Sequence, residues 1–241
     1  MSKKLVIAID GPAGSGKSTV AKLVADKLGY LYLNTGAMYR AVTLKALNTG
    51  INLGDEAALI YVAENCVIEF ADGGAKTLLD RVDVSDEIHL PIVDKVISDV
   101  VKISGVRRAM VVQQQRIGKQ GGVVAEGRDV TTVVFPNADV KIYLNASLQE
   151  RAKRRYTELK EKGEGISLRE VEADMLMRDE KDSSREDSPL RVAEDATVID
   201  TTNLTIGGVV EAILALMEIE VDKCDEPDAL KAVGLRIMND E

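Results

Sequence analysis

The chain has 241 residues, with 40 acidic against 31 basic side chains for a net charge of −9, and 3% aromatic residues with no tryptophan. That length fits one large domain or a core with inserted subdomains. The acidic balance argues against general affinity for nucleic acid or an anionic membrane, and the shortage of aromatics argues against base-stacking platforms.

The apolar run Leu5-Val6-Ile7-Ala8-Ile9 reads as a strand buried on both faces. A turn follows, Asp10-Gly11-Pro12-Ala13-Gly14-Ser15-Gly16. Residues 17–28 place Val20, Leu23, Val24 and Leu28 at helical spacing, with Gly29 as the C-cap. Leu31-Tyr32-Leu33 makes a second strand and completes a right-handed βαβ unit. Helical patterns cover residues 37–47 and 55–63, and residues 66–84 form a β-hairpin turning at Asp72-Gly73-Gly74. This hairpin interrupts the α/β alternation and marks an inserted subdomain. Two helices, 90–101 and 106–118, are split at Gly105. Val123-Val124-Ala125, Val140-Lys141-Ile142-Tyr143-Leu144 and Thr197-Val198-Ile199-Asp200 are further strands, and residues 206–219 a closing helix. The charged stretch 151–185, softly broken at Lys162-Gly163-Glu164-Gly165, suits a solvated cover. The tail 221–241 has a weak helical pattern at Leu230, Val233, Leu235 and Ile237.

Cys66 and Cys224 fit neither a disulfide framework nor a metal spacing, and His89, the one histidine, cannot build a histidine metal site. Free thiols are expected, as in a reducing cytoplasm. The N-terminal apolar run is too short for a secretory signal, and no stretch approaches a membrane span, so a cytoplasmic protein is expected.

The strongest chemical signal is Gly11-Pro12-Ala13-Gly14-Ser15-Gly16-Lys17-Ser18, a complete G-x-x-x-x-G-K-[ST] match between a buried strand and a helix. The glycines let several backbone N–H groups face one concavity, and the helix from Lys17 aims its N-terminus at the same anion. Lys17 reaches the β- and γ-phosphates, and the Ser18 hydroxyl suits Mg²⁺. Nucleoside triphosphate binding follows. A guanine-reading Asn-Lys-x-Asp is missing, and the candidate strands end differently from the extended, acid-tipped strand of a motor or remodelling ATPase. A short chain with an insertion and a cover suits a small-molecule kinase, which must exclude water from a transferable phosphoryl group. Arg40, Arg107, Arg128, Arg178 and Arg185 stand at turns or element edges. Arg128, after a buried strand, borders the ligand crevice of such a sheet. Arginine suits two phosphorylated reactants through its bidentate, permanently charged donors.

Further segments accompany the loop: Thr35-Gly36-Ala37-Met38-Tyr39-Arg40, Asp83-Val84-Ser85, Val106-Arg107, Glu126-Gly127-Arg128-Asp129, Val133-Val134-Phe135-Pro136-Asn137-Ala138 and Arg178-Asp179-Glu180-Lys181-Asp182-Ser183-Ser184-Arg185. With them the chain resembles the bacterial cytidylate kinases, up to about residue 217. The resemblance implies an α/β fold of three layers around a five-stranded parallel sheet of the P-loop kinase type. It implies a core of residues 1–35, 105–150 and 190–220, an acceptor-binding subdomain at 36–104 with the inserted hairpin, a helical lid at 151–189 and a tail at 221–241. It implies transfer of the γ-phosphoryl group of ATP to CMP or dCMP, with Mg²⁺, by a monomer that binds these small molecules and neither nucleic acid nor membrane. ATP would lie on Gly11, Pro12, Ala13, Gly14, Ser15, Gly16, Lys17, Ser18 and Thr19, with Ser18 on the metal. Arg40, Arg128 and Arg185 would hold the acceptor phosphate. Ser98, Arg107 and Asp129 would read cytosine, Arg178 and Asp182 would contact the sugar and the lid, and Thr35 and Tyr39 would line the pocket. Lys17, Arg128, Arg185 and Asp129 would carry catalysis, with Arg151, Arg154 or Arg155 of the lid completing the charge clamp. The chain departs from the family's usual Asp, Arg and Gly at Asn34, His89 and Thr131. Two other readings remain at this point, a P-loop kinase for UMP or a non-nucleotide acceptor, and a nucleotide-binding protein without turnover.

Overall fold

In chain order, a buried strand β1 (Val6–Asp10) leads through the glycine-rich turn into α1 (Lys17–Leu28). This structure, a computed structural model, describes residues 4–225 except 162 and 164. Gly16 and Gly29 bracket α1 with φ of 92° and 63°, a conformation that glycine adopts without steric cost. Next come β2 (Leu31–Asn34) and α2 (Thr35–Asn48). The Asn34 side chain accepts from Ala37 N at 3.0 Å, so this departure from the family serves as an N-cap.

The insertion then runs through α3 (Glu56–Asn65), β3 (Ile68–Ala71), β4 (Lys76–Leu79), β5 (Val82–Asp83), α4 (Pro91–Val101) and α5 (Ser104–Gly118). The expected hairpin is a three-stranded antiparallel sheet, β3-β4-β5. Its second half breaks at Asp80-Arg81, both at positive φ, which turns the chain once more. The expected helix break at Gly105 is also corrected. Gly105 lies inside α5, and the chain turns at Lys102-Ile103. A Cβ at Gly105 would stand 2.3 Å from Ile60 Cδ1, so this glycine permits the close approach of α3 to α5.

The remaining elements are β6 (Val123–Gly127), a π-type turn at Val130–Val134, β7 (Val140–Asn145), α6 (Leu148–Glu161), α7 (Leu168–Ser183), β8 (Thr197–Asp200) and α8 (Ile206–Asp225). The tail pattern at Leu230, Val233, Leu235 and Ile237 lies outside the described residues. The main sheet has the order β2-β6-β1-β7-β8 with every pair parallel. Apolar side chains of α2, α3 and α5 cover one face, and those of α1 and α8 the other. Such a sheet binds ligands beyond the carboxyl ends of its strands, where the connections diverge. Here that point lies between β1 and its neighbours β6 and β7. The charged pair α6 and α7 has a small apolar core of its own, Ala152, Leu159, Val171 and Met175. Ser167 and Glu170 close a capping box at the start of α7.

Candidate active site

The phosphate loop leaves β1 with Gly11 at φ 150°, Gly14 at 74° and Gly16 at 92°. A Cβ on Gly11 would lie 2.0 Å from Leu144 O, and one on Gly14 would lie 2.8 Å from Met175 Cε. The loop is therefore packed from behind by β7 and from the side by α7, with its N–H groups gathered at the start of α1. Lys17 is buried and its Nζ donates to Pro12 O at 2.7 Å. Burial, and next to it the like charge of Arg128, push its pKa down to about 7, against the opposing pull of Glu126 and Asp10.

Ser18 Oγ donates to Glu126 Oε1 at 2.9 Å, and Tyr32 Oη approaches the same oxygen at 3.4 Å. Glu126 is the penultimate residue of β6, directly beside Ile9 of β1. Sequence reading closed this strand at Ala125 and found no terminal acid. The pairing of β6 with β1 extends the strand through Glu126 and turns its carboxylate to the loop serine. That is the acidic partner a P-loop metal site requires. The signal was present, an acidic residue closing a buried apolar run, but only the strand order shows which run neighbours the loop.

Beyond β6 the expected acceptor residues converge. Arg107 of α5 pairs with Asp129 at 2.6 Å, both side chains buried. The Arg107 guanidinium stands 5.6 Å from the Tyr39 ring centre, a cation–π arrangement. Arg128 Nε binds Asp182 Oδ2 at 2.8 Å, and Arg185 pairs with the other oxygen of Asp182. Arg178, one turn before Asp182 on α7, makes no hydrogen bond or close ion pair among the described residues. It keeps exposed surface, yet its crowded surroundings, then the charge of Arg128, lower its pKa, with Arg40 adding to the repulsion. Arg185 is lowered by burial, while Asp182 and Asp129 oppose that shift. Lys17, Arg40, Arg107, Arg128, Arg178 and Arg185, scattered along the sequence, thus share one field in an acidic chain.

Some expected residues are engaged elsewhere. Arg40 binds Asp94 at 2.5 Å and Ile88 O at 3.0 Å, tying α2 to the start of α4. Ser98 is exposed on α4 and makes no hydrogen bond to Arg107 or Asp129. Thr35 Oγ1 donates to Glu126 O at 2.8 Å. Of the three lid arginines, Arg155 pairs with Glu158 and Arg154 with Glu150 and Thr201. Arg151 is the one bound to the loop, donating to Ala13 O at 3.0 Å and to Asp179 at 2.6 Å. His89 is exposed.

Two further groups escaped sequence reading. Asp10, wholly buried, holds the turn after Asp129: its Oδ1 accepts from Val130 N at 2.9 Å, and its Oδ2 from Thr131 N at 2.7 Å and Thr131 Oγ1 at 2.6 Å. Burial raises its pKa to about 6 despite these bonds. Gln114, two helical turns beyond Arg107, is fully buried. It lies near Tyr39, yet both its amide atoms and the Tyr39 hydroxyl lack a well-directed hydrogen bond.

A phosphate loop at the crossover of a parallel sheet, an acid behind its serine and a field of arginines beside it define a nucleotide-dependent phosphotransferase of P-loop architecture. The comparisons narrow this class. The family model described as cytidylate kinase matches residues 7–219. The cytidylate kinase of Bacillus pumilus is 51% identical over 216 residues, covering 89% of this chain and 96% of that protein. The cytidylate kinase of Caldicellulosiruptor saccharolyticus is 49% identical over 216 residues, with the same coverage. This chain belongs to the cytidylate kinase family. In fold alone it is similar to the crystal structure of an uncharacterized protein from Eubacterium ventriosum, with a TM-score of 0.51 at 13% identity, covering 90% of this chain and 99% of that one.

Proposed function

We propose that this protein transfers the γ-phosphoryl group of ATP to CMP or dCMP, giving CDP or dCDP. The observation that carries the reading is the juxtaposition of two cradles at the ends of adjacent strands. The phosphate loop follows β1, and the Arg107–Asp129 pair follows β6. Cytosine presents an amino donor beside ring acceptors, which matches a carboxylate beside a guanidinium. Uracil has a carbonyl at the amino position and would face Asp129 unfavourably.

The acceptor oxygen is already anionic, so no side-chain nucleophile is needed, and catalysis is positioning and charge stabilisation. The backbone of residues 11–19 would hold the triphosphate. Lys17 would exchange Pro12 O for a phosphate oxygen and regain full charge in its field. Arg40, Arg128 and Arg185 would hold the acceptor phosphate, with Arg178 and Asp182 at the sugar and Thr35 and Tyr39 along the pocket. Arg128 and Arg185 would give up part of their pairing with Asp182 as phosphates enter. The hard-oxygen pair Ser18 and Glu126 fits Mg²⁺, Ser18 as a ligand and Glu126 behind it. The metal supplies charge neutralisation at the phosphates.

In this reading residues 36–104 carry the acceptor, and residues 151–189 close over the reactants to exclude water. The protein is taken to act as a monomer on these small molecules. The acidic surface speaks against nucleic acid and anionic lipid. No helix among the described residues is long and apolar enough to cross a membrane. ATP and CMP as substrates support a cytoplasmic place of action. A coupled assay across CMP, dCMP, UMP and AMP tests the reading. Turnover of CMP or dCMP well above the other two is expected, and preference for UMP or AMP would overturn it.

A further inference from the structure

The turn after β6 raises a question of hydrogen-bond supply. Val130 and Thr131 open the π-type turn, and their buried N–H groups need acceptors. Asp129 stands at the N-cap position, from which an Asp side chain ordinarily serves such groups. It makes no capping bond here, because its carboxylate is bound to Arg107 at 2.6 Å.

We infer that Asp10, helped by the Thr131 hydroxyl, is a positioning residue that caps this turn from the neighbouring strand and so frees Asp129 to read the base. Asp10 lies opposite Gly127 in the β1–β6 register, which brings its carboxylate under the turn. Its three bonds, at 2.6 to 2.9 Å, occupy both oxygens. Without them Val130 and Thr131 would hold orphaned buried donors, and Asp129 is the carboxylate already in place to take them. Taking them would draw it off Arg107. Asp10 also directly precedes Gly11, so one side chain joins the start of the phosphate loop to the geometry of the acceptor pocket.

The inference rests on Asp129 as a base reader, and steady-state kinetics on the full chain separate the two. Thr131→Val removes one hydroxyl and touches no phosphate-loop residue. It is expected to raise KM for CMP about tenfold, the scale of one lost buried hydrogen bond, and to erode the preference for CMP over UMP. KM for ATP should stay within twofold. Thr131→Ser keeps the hydroxyl and should stay within twofold of the unaltered chain for CMP. Asp10→Asn puts a donor among donors and should raise KM for CMP further; if it does not fold, the Thr131 pair decides alone. An unchanged KM for CMP in Thr131→Val, equal rises for CMP and ATP, or equal failure of the Val and Ser variants would overturn the inference while the functional reading stood. An unaltered chain inactive on CMP and dCMP would overturn that reading and this inference with it.

Discussion

The two cradles are built from different materials. The phosphate loop is eight consecutive residues whose backbone forms the cradle, and its shape is set by positive φ at three glycines. The expected acceptor cluster is made of side chains from α2, α5, the β6 turn and α7, its arginines paired with carboxylates. A contiguous loop concentrates its sensitivity in a few backbone positions. A convergent cluster spreads it over distant residues, and each broken pair leaves an unmatched charge.

The largest expected effect breaks the loop side. Lys17→Met should lower kcat/KM by about 10²–10³-fold, the scale of one lost charge-stabilising donor. Folding should survive. With its pKa pushed down to about 7, folded Lys17 binds fewer protons than the unfolded chain between pH 7 and its ordinary 10.5. Its contribution to stability therefore rises with pH across that window. Thermal melts from pH 7 to 10 should show this slope in the unaltered chain and a flatter one in Lys17→Met. A steep loss of melting temperature in the variant at pH 7 would contradict the burial argument.

On the cluster side, Asp129→Asn should raise KM for CMP about 10- to 100-fold, matching about 1–3 kcal/mol for a base-reading pair. KM for ATP should barely move. The alanine variant is a poorer probe, because stripping one partner from a buried ion pair costs about 3–5 kcal/mol of stability. A KM for CMP unchanged in Asp129→Asn would remove Asp129 from the pocket. Gly14→Ala sharpens the contrast at intermediate size. A left-handed alanine costs about 1–3 kcal/mol, and its methyl would press on Met175, so weaker ATP binding and a lower melting temperature are expected together. The smallest effect is Asn34→Ala, about 1 kcal/mol of stability from a lost N-cap, read by denaturant unfolding.

The same contrast explains what the sequence made legible. The loop, α1 and the five strands of the main sheet were readable because each is a local pattern. Lys17–Leu28 needed only its apolar period and Gly29. The convergence of the arginines was reached through family resemblance, since standing at turns and element edges does not link residues 40, 107, 128 and 185 to one another. Glu126 and Asp10 went unassigned because their roles depend on β6 lying beside β1, a topological fact. Gly105 looked like a helix breaker because its real reason, the nearby Ile60, comes from a different helix. Asp80-Arg81 folds back without a glycine or proline to announce the turn.

Arg151 has a consequence for anyone sorting variants by phenotype. One guanidinium on α6 is bonded to a carbonyl of the phosphate loop and to a carboxylate on α7. A genetic screen for weak ATP use should therefore return substitutions along α6 and α7 that never touch the nucleotide. Grouping such alleles by the substrate they impair would assign part of the cover to the loop.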